Sequence, residues 1–166
     1  MRYFIFFAIL FLSGLFACRN ETDNDLPLQN RIDSLEKELA DTYKPGLGEF
    51  MTEIQIHHAK LWFAGQYQNW KLAEFETGEI EESLAGIKKY CQDRPEIKLI
   101  GMIDQPMDSI IKSVQRRNSV QFDRNFISLT NTCNSCHQST NHEYNVIKIP
   151  DIPPFSNQDF KVHEPK

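Results

Sequence analysis

The sequence carries no excess of positive charge. Its 18 Lys and Arg stand against 23 Asp and Glu, a formal net charge of −5. That balance speaks against a nucleic-acid partner and against electrostatic docking on anionic lipid. There is no internal repeat and no low-complexity tract, so an ordinary domain is expected rather than an array. No Ser-His-Asp set, phosphate loop or paired-carboxylate signature stands out. The longest apolar run, Tyr3 to Ala17, is too short for a confident membrane span. Cysteine is scarce, at four residues. Cys18 and Cys91 are too isolated to supply the second ligand pair of a zinc site.

What is present is concentrated in one run, Cys133-Asn134-Ser135-Cys136-His137. It reads C-x-x-C-H, the attachment site of a c-type haem. Two intervening residues bring both sulfurs onto one helical turn, where they can add to the two haem vinyl groups. The adjoining His is then placed to ligate the iron through an imidazole nitrogen. A redox dithiol or a metal site remains the competing reading. A thioredoxin-like dithiol wants a preceding strand in a βαβ context, which this sequence does not offer.

The N-terminus supports export. Arg2 precedes an apolar stretch of about ten residues with small residues near its end, the layout of a secretory signal. An uncleaved anchor helix is the alternative. The segment closes on Leu15-Phe16-Ala17-Cys18, which resembles a bacterial lipoprotein lipobox, with Phe16 departing from the usual residue at its place. The resemblance implies that Cys18 becomes a lipidated N-terminus, with acyl chains enough for stable anchoring. Haem c is attached outside the cytoplasm, so the motif and the signal agree with each other. Residues 1–17 hold one charged side chain, Arg2, so the remainder is close to −6. The lipid, not charge, must then do the anchoring.

Residues 18–44 divide into a polar tether, 19–30, and a short amphipathic helix from Gln29 to Tyr43, with Ile32, Leu35 and Leu39 on one face. That face has two candidate partners, the domain that follows or a second copy of the chain, so a homodimer is among the expected assemblies. Lys44-Pro45-Gly46 is a break. The domain, 45–149, shows four helical stretches. The first, Leu47 to Gln68, sets Phe50, Met51, Ile54, His58, Leu61 and Gly65 on one face. The second, Trp70 to Cys91, starts at Asn69 as N-cap and shows an acidic face of Glu76, Glu79, Glu81 and Glu82 that reads as solvated. Cys91 reads as a buried thiol. Residues 96–103 are ambiguous between helix and extended chain. A third helix spans about 105–117. A fourth spans about 120–142, with Phe122, Phe126, Leu129, Cys133 and His137 continuing one stripe. Residues 150–166, with four prolines, read as a tail, ordered or floppy, rather than a domain.

Four helices with C-x-x-C-H near the end of the last resemble the class II cytochromes c, the cytochrome c′ superfamily, over about residues 45–145. The resemblance implies an all-α, antiparallel four-helix bundle with one covalent haem c near the end of the last helix. It implies an electron carrier rather than an enzyme, lipid-anchored and periplasmic, meeting redox partner proteins of a respiratory chain. The first half of the first helix then lies beside the haem. Low-spin members of the family take a Met there as sixth ligand, and Met51 fits by position and face. His58, on the same face, is the alternative. High-spin members leave the site open, with Ile54 or Phe50 as lid here, which would suit a nitric oxide or carbon monoxide binding module. A peroxidase-like use of His57 or His58 and a non-haem lipoprotein are the remaining readings. His142 and His163 read as surface histidines, and Arg116, Arg117 and Arg124 as a solvated face.

Overall fold

A computed structural model describes residues 25–42 and 45–163, and all regular structure among them is helical. The expected signal segment, Cys18 and the start of the tether lie outside the described residues. The chain divides into two units, residues 1–44 and 45–166. Among the described residues no helix is long and apolar enough to cross a membrane.

The first unit contributes one helix, α1, Asp25–Thr42. It begins earlier than the sequence reading placed it, so the second half of the expected polar tether is helical. Gln29 donates to Asp33 one turn on, at 2.8 Å. The earlier start adds Leu28 to the stripe of Ile32, Leu35 and Leu39, and all four are exposed.

The second unit holds α2, Leu47–Gln66, α3, Trp70–Tyr90, α4, Asp104–Gln115, and α5, Ser119–Ser139. Local chemistry sets the boundaries. Glu49 reaches back to accept the Gly46 N–H at 3.2 Å, closing the first turn of α2. Asn69 and Asn118 cap α3 and α5 by accepting the N–H of Leu72 and Gln121. Gln68, Arg117 and Asn141, just past the ends of α2, α4 and α5, adopt φ of 55°, 51° and 59°, the left-handed turn that stops a helix. The ambiguous stretch after α3 resolves into two 3-10 turns, Pro95–Lys98 and Ile100–Ile103. Pro95, with its φ preset, opens the first of them.

The helices close a ring of contacts: α2 on α3, α3 on α4, α4 on α5, and α5 on α2. Pairings fix two of the directions. His58 meets Thr130 and Gln66 meets Asp123, so α2 and α5 run antiparallel. Glu53 meets Ser83 and Lys60 meets Glu76, so α2 and α3 do too. At the far end from Cys133 the core is aromatic. Phe122 and Phe126 are fully buried, with Trp62 against both and Trp70 edge-on to Phe122.

One sequence expectation needs correction. Glu76 does not belong to a solvated acidic face. It is fully buried, its carboxylate accepting from His57 Nδ1 at 2.7 Å and pairing with Lys60 Nζ at 2.9 Å. Both partners come from α2, so the buried carboxylate is paired with Lys60 and hydrogen-bonded by His57 across the helix interface. Of the two forms left open for the tail, residues 150–163 take the ordered one. Phe160 is 2 % exposed and packs on Phe63, while Asn69 donates to the carbonyls of Phe160 and Lys161. Cys91 is buried as expected, one residue beyond α3.

Candidate functional site

Cys133, Cys136 and His137 fall in the last two turns of α5 and open on one apolar cleft. Its cavity volume is about 50 Å³, well below the roughly 300–1,000 Å³ usual for cofactor and ligand pockets. Met51, Ile54 and His58 line the cleft from α2, Ile80 and Leu84 from α3, and Ile100, Met102 and Ile103 from the 3-10 segment. Two further clefts adjoin it. His137 and Met51 line all three.

The contact between His58 and Thr130 explains why Met51 is there. Met51 lies seven residues before His58 and His137 seven after Thr130, on antiparallel helices. Two turns in opposite sequence directions keep the two residues level. The structure therefore brings together Cys133, Cys136, His137, Met51 and His58. It leaves His57 out, at the α2–α3 interface with Glu76. Arg116, Arg117 and Arg124 are exposed.

The His137 ring is fixed from behind. Its Nδ1 lies 2.7 Å from the backbone carbonyl of Asn145. A carbonyl only accepts, so Nδ1 carries a proton, and a neutral ring then has its lone pair on Nε2. This is how protein imidazoles are prepared to bind a metal. The carbonyl is held by the chain that follows α5. The Asn145 N–H donates to the His142 carbonyl, and the His142 N–H to that of His137. Asn134, the first residue between the cysteines, grips the same segment. Its amide donates to the Ile147 carbonyl and accepts the Ile147 N–H, both at 2.8 Å. Nothing in the sequence pointed to this clamp, because its partners are backbone groups.

Asn134→Ala is expected to release residues 143–149. Two backbone groups lose their partner, at a cost of about 1–3 kcal/mol. Amide hydrogen exchange should speed up in that segment while α2 and α3 stay protected. Unchanged protection of Ile147 would show that the clamp does not hold it.

His58 is buried between Phe126, 4.4 Å from its ring centroid, and Thr130. The Thr130 hydroxyl donates to the Phe126 carbonyl at 2.9 Å, so it can only accept from His58. Nε2 is thereby the protonated nitrogen and Nδ1 the free acceptor. Burial lowers the imidazole to about 4, so it is neutral at ordinary pH. Thr130 is the hydrogen-bond acceptor for a buried His58 that could not be identified from the sequence.

The thiols are not activated. Burial, followed by the neighbouring Cys136, pushes the Cys133 thiol up to about 11. Burial, followed by Glu96, raises Cys136 as well. Redox dithiols have the opposite character, a thiolate favoured by nearby positive charge. Among the described residues no group of three or more His, Cys, Asp and Glu side chains could hold a metal ion, as zinc would require.

One cluster at the mouth escaped the sequence reading. Glu96 is 8 % exposed, with Arg94 at 3.0 Å and His142 at 3.8 Å, and its Oε2 has no hydrogen-bond partner. Burial pushes its carboxyl up, but its own backbone N–H, Arg94 and His142 bring it below the usual range. His142 is half-buried beside His137 and Cys136, not a plain surface histidine. His163, as expected, is exposed.

No protein-family model, curated protein or solved structure matches this chain.

Proposed function

We propose that the chain is a monohaem c-type cytochrome, an electron carrier held to the periplasmic face of a membrane by lipid on Cys18. The observation that carries the reading is the set His137, Cys133 and Cys136: an imidazole whose Nδ1–H is committed to Asn145, beside two thiols on one apolar cleft. These residues fit haem c. Cys133 and Cys136 would hold it covalently and His137 Nε2 would bind its iron. When bound, it supplies a one-electron Fe(III)/Fe(II) couple.

The chain's own residues suit outer-sphere transfer. Asn145 fixes the orientation of His137. The apolar walls from α2, α3 and the 3-10 segment exclude water. Met51 stands level with His137 and offers a thioether as sixth ligand, which favours Fe(II). His58 is the alternative ligand, now with a partner for its N–H in Thr130. The ring of helix contacts and the antiparallel run of α2 with both α3 and α5 support an antiparallel four-helix bundle of the cytochrome c′ type. A second reading, a module that binds nitric oxide or carbon monoxide at an open sixth position, is favoured by the neutral, buried His58 in the cleft wall.

Intact mass spectrometry of protein extracted from membranes, after acid–acetone treatment, tests both attachments. The expected mass is that of residues 18–166 plus one haem and acyl chains. Loss of haem to the solvent would reject the covalent site. An unmodified Cys18 would reject the anchor.

A further inference from the structure

We infer that α1 is the contact between two copies of this chain, as a parallel two-stranded coiled coil. Leu28, Ile32, Leu35 and Leu39 recur at intervals of four, three and four, which are alternating d and a positions of a heptad. All four are exposed on a continuous helix, 40–68 % accessible. The positions between Leu28 and Leu39 are otherwise all polar. Ile at the central a position with Leu at the flanking d positions favours two parallel strands.

Charge completes the match. Arg31 falls at g and Glu36 at the e position of the next heptad. In a parallel pair, g of one helix faces that e of the other, so Arg31 meets the second copy's Glu36 on both sides of the seam. Among the described residues neither side chain makes an ion pair or hydrogen bond, as expected of groups kept for a partner. A lipid surface suits the helix poorly. Its residues include five acidic and two basic side chains, the wrong sign for anionic headgroups. The helix spans only about two and a half heptads, short for a free coiled coil. Two copies anchored to one membrane offset this by raising the effective concentration. The strength of the pairing, though not its geometry, rests on the proposed anchor.

The test uses the full chain in membranes of the expressing cell, with single cysteines as reporters under mild oxidation. Leu28→Cys and Leu35→Cys should each give a disulfide-linked dimer, and Asn30→Cys, on the outer f position, should not. Arg31→Glu in the Leu35→Cys background should abolish the dimer, and adding Glu36→Arg should restore it. That rescue separates pairing from simple helix loss. Linking at Leu35→Cys without Leu28→Cys would overturn the parallel arrangement. A trimer with a bifunctional thiol reagent would overturn two strands. No linking at either position would overturn the interface. Haem staining and fractionation of the same samples read the proposed function separately. If the chain is soluble, the same reactions are run at matched concentration in solution.

Discussion

Met51→Ala is expected to turn a low-spin protein into a high-spin one that binds carbon monoxide rapidly. The expectation rests on register. The His58–Thr130 hydrogen bond fixes α2 against α5, and Met51 then lies level with His137 on the facing helix. Its thioether needs no proton partner and tolerates an apolar wall. Alanine leaves no donor atom, and no other α2 side chain level with His137 replaces it. Because Met51 is half-buried, truncation should cost only about 1–2 kcal/mol, below the range for a fully buried methionine. The fold should therefore survive for optical spectra to be read in both redox states. His58→Ala is the comparison. Its spectrum should stay low-spin while stability falls, because Thr130 loses its partner. The reverse result would assign the sixth position to His58 and predict a lower potential. A parent protein already high-spin would favour the gas-binding reading.

Gly65→Ala is expected to destabilise the protein, against helix propensity. Inside a helix the exchange ordinarily stabilises by up to about 1 kcal/mol, and Gly65 lies in the last turn of α2. Here the added Cβ would stand 2.1 Å from Cε1 and 2.2 Å from Cζ of Phe122. Phe122 has nowhere to retreat, with Trp62, Trp70 and Phe126 around a fully buried ring. Overpacking of this kind costs about 1–3 kcal/mol and outweighs the propensity gain. Thermal unfolding should show a midpoint lower by roughly 2–4 °C per kcal/mol lost, the figure for a chain of this length. Gly78→Ala in α3, where a Cβ would meet nothing within 4 Å, should raise it slightly. A Gly65→Ala protein as stable as the parent would mean that α2 and α5 can separate freely.

The helices were legible in the sequence because apolar periodicity and Asn caps are local signals. The core stripe through Phe122, Phe126 and Leu129 into Cys133 was readable in the same way. So was the placement of Met51, since antiparallel packing of the first and last helices depends only on order and length. Glu76 was misread because its partners, His57 and Lys60, lie on another helix, and a run of acids looks solvated until its neighbours are known. The Thr130 and Asn145 contacts stayed hidden for a similar reason. One joins residues far apart in sequence, and the other uses a backbone carbonyl, which every residue possesses. Phe160 was hidden among prolines that suggested only a tail.

Entry and exit of the chain give the second unit a polarity. Residues 45–48 enter beside the cleft, at the Met51 end of α2, whereas Phe160 fastens the outgoing chain at Asn69, beyond the opposite end. With a rise of about 1.5 Å per residue, the length of α2 separates them by roughly 30 Å. The cleft therefore sits at the end where the chain enters the unit, and the opposite end is a wall of aromatic side chains. Cargo or labels joined after residue 163 would ride far from His137. An insertion before residue 45 would instead act at the His137 end of the unit.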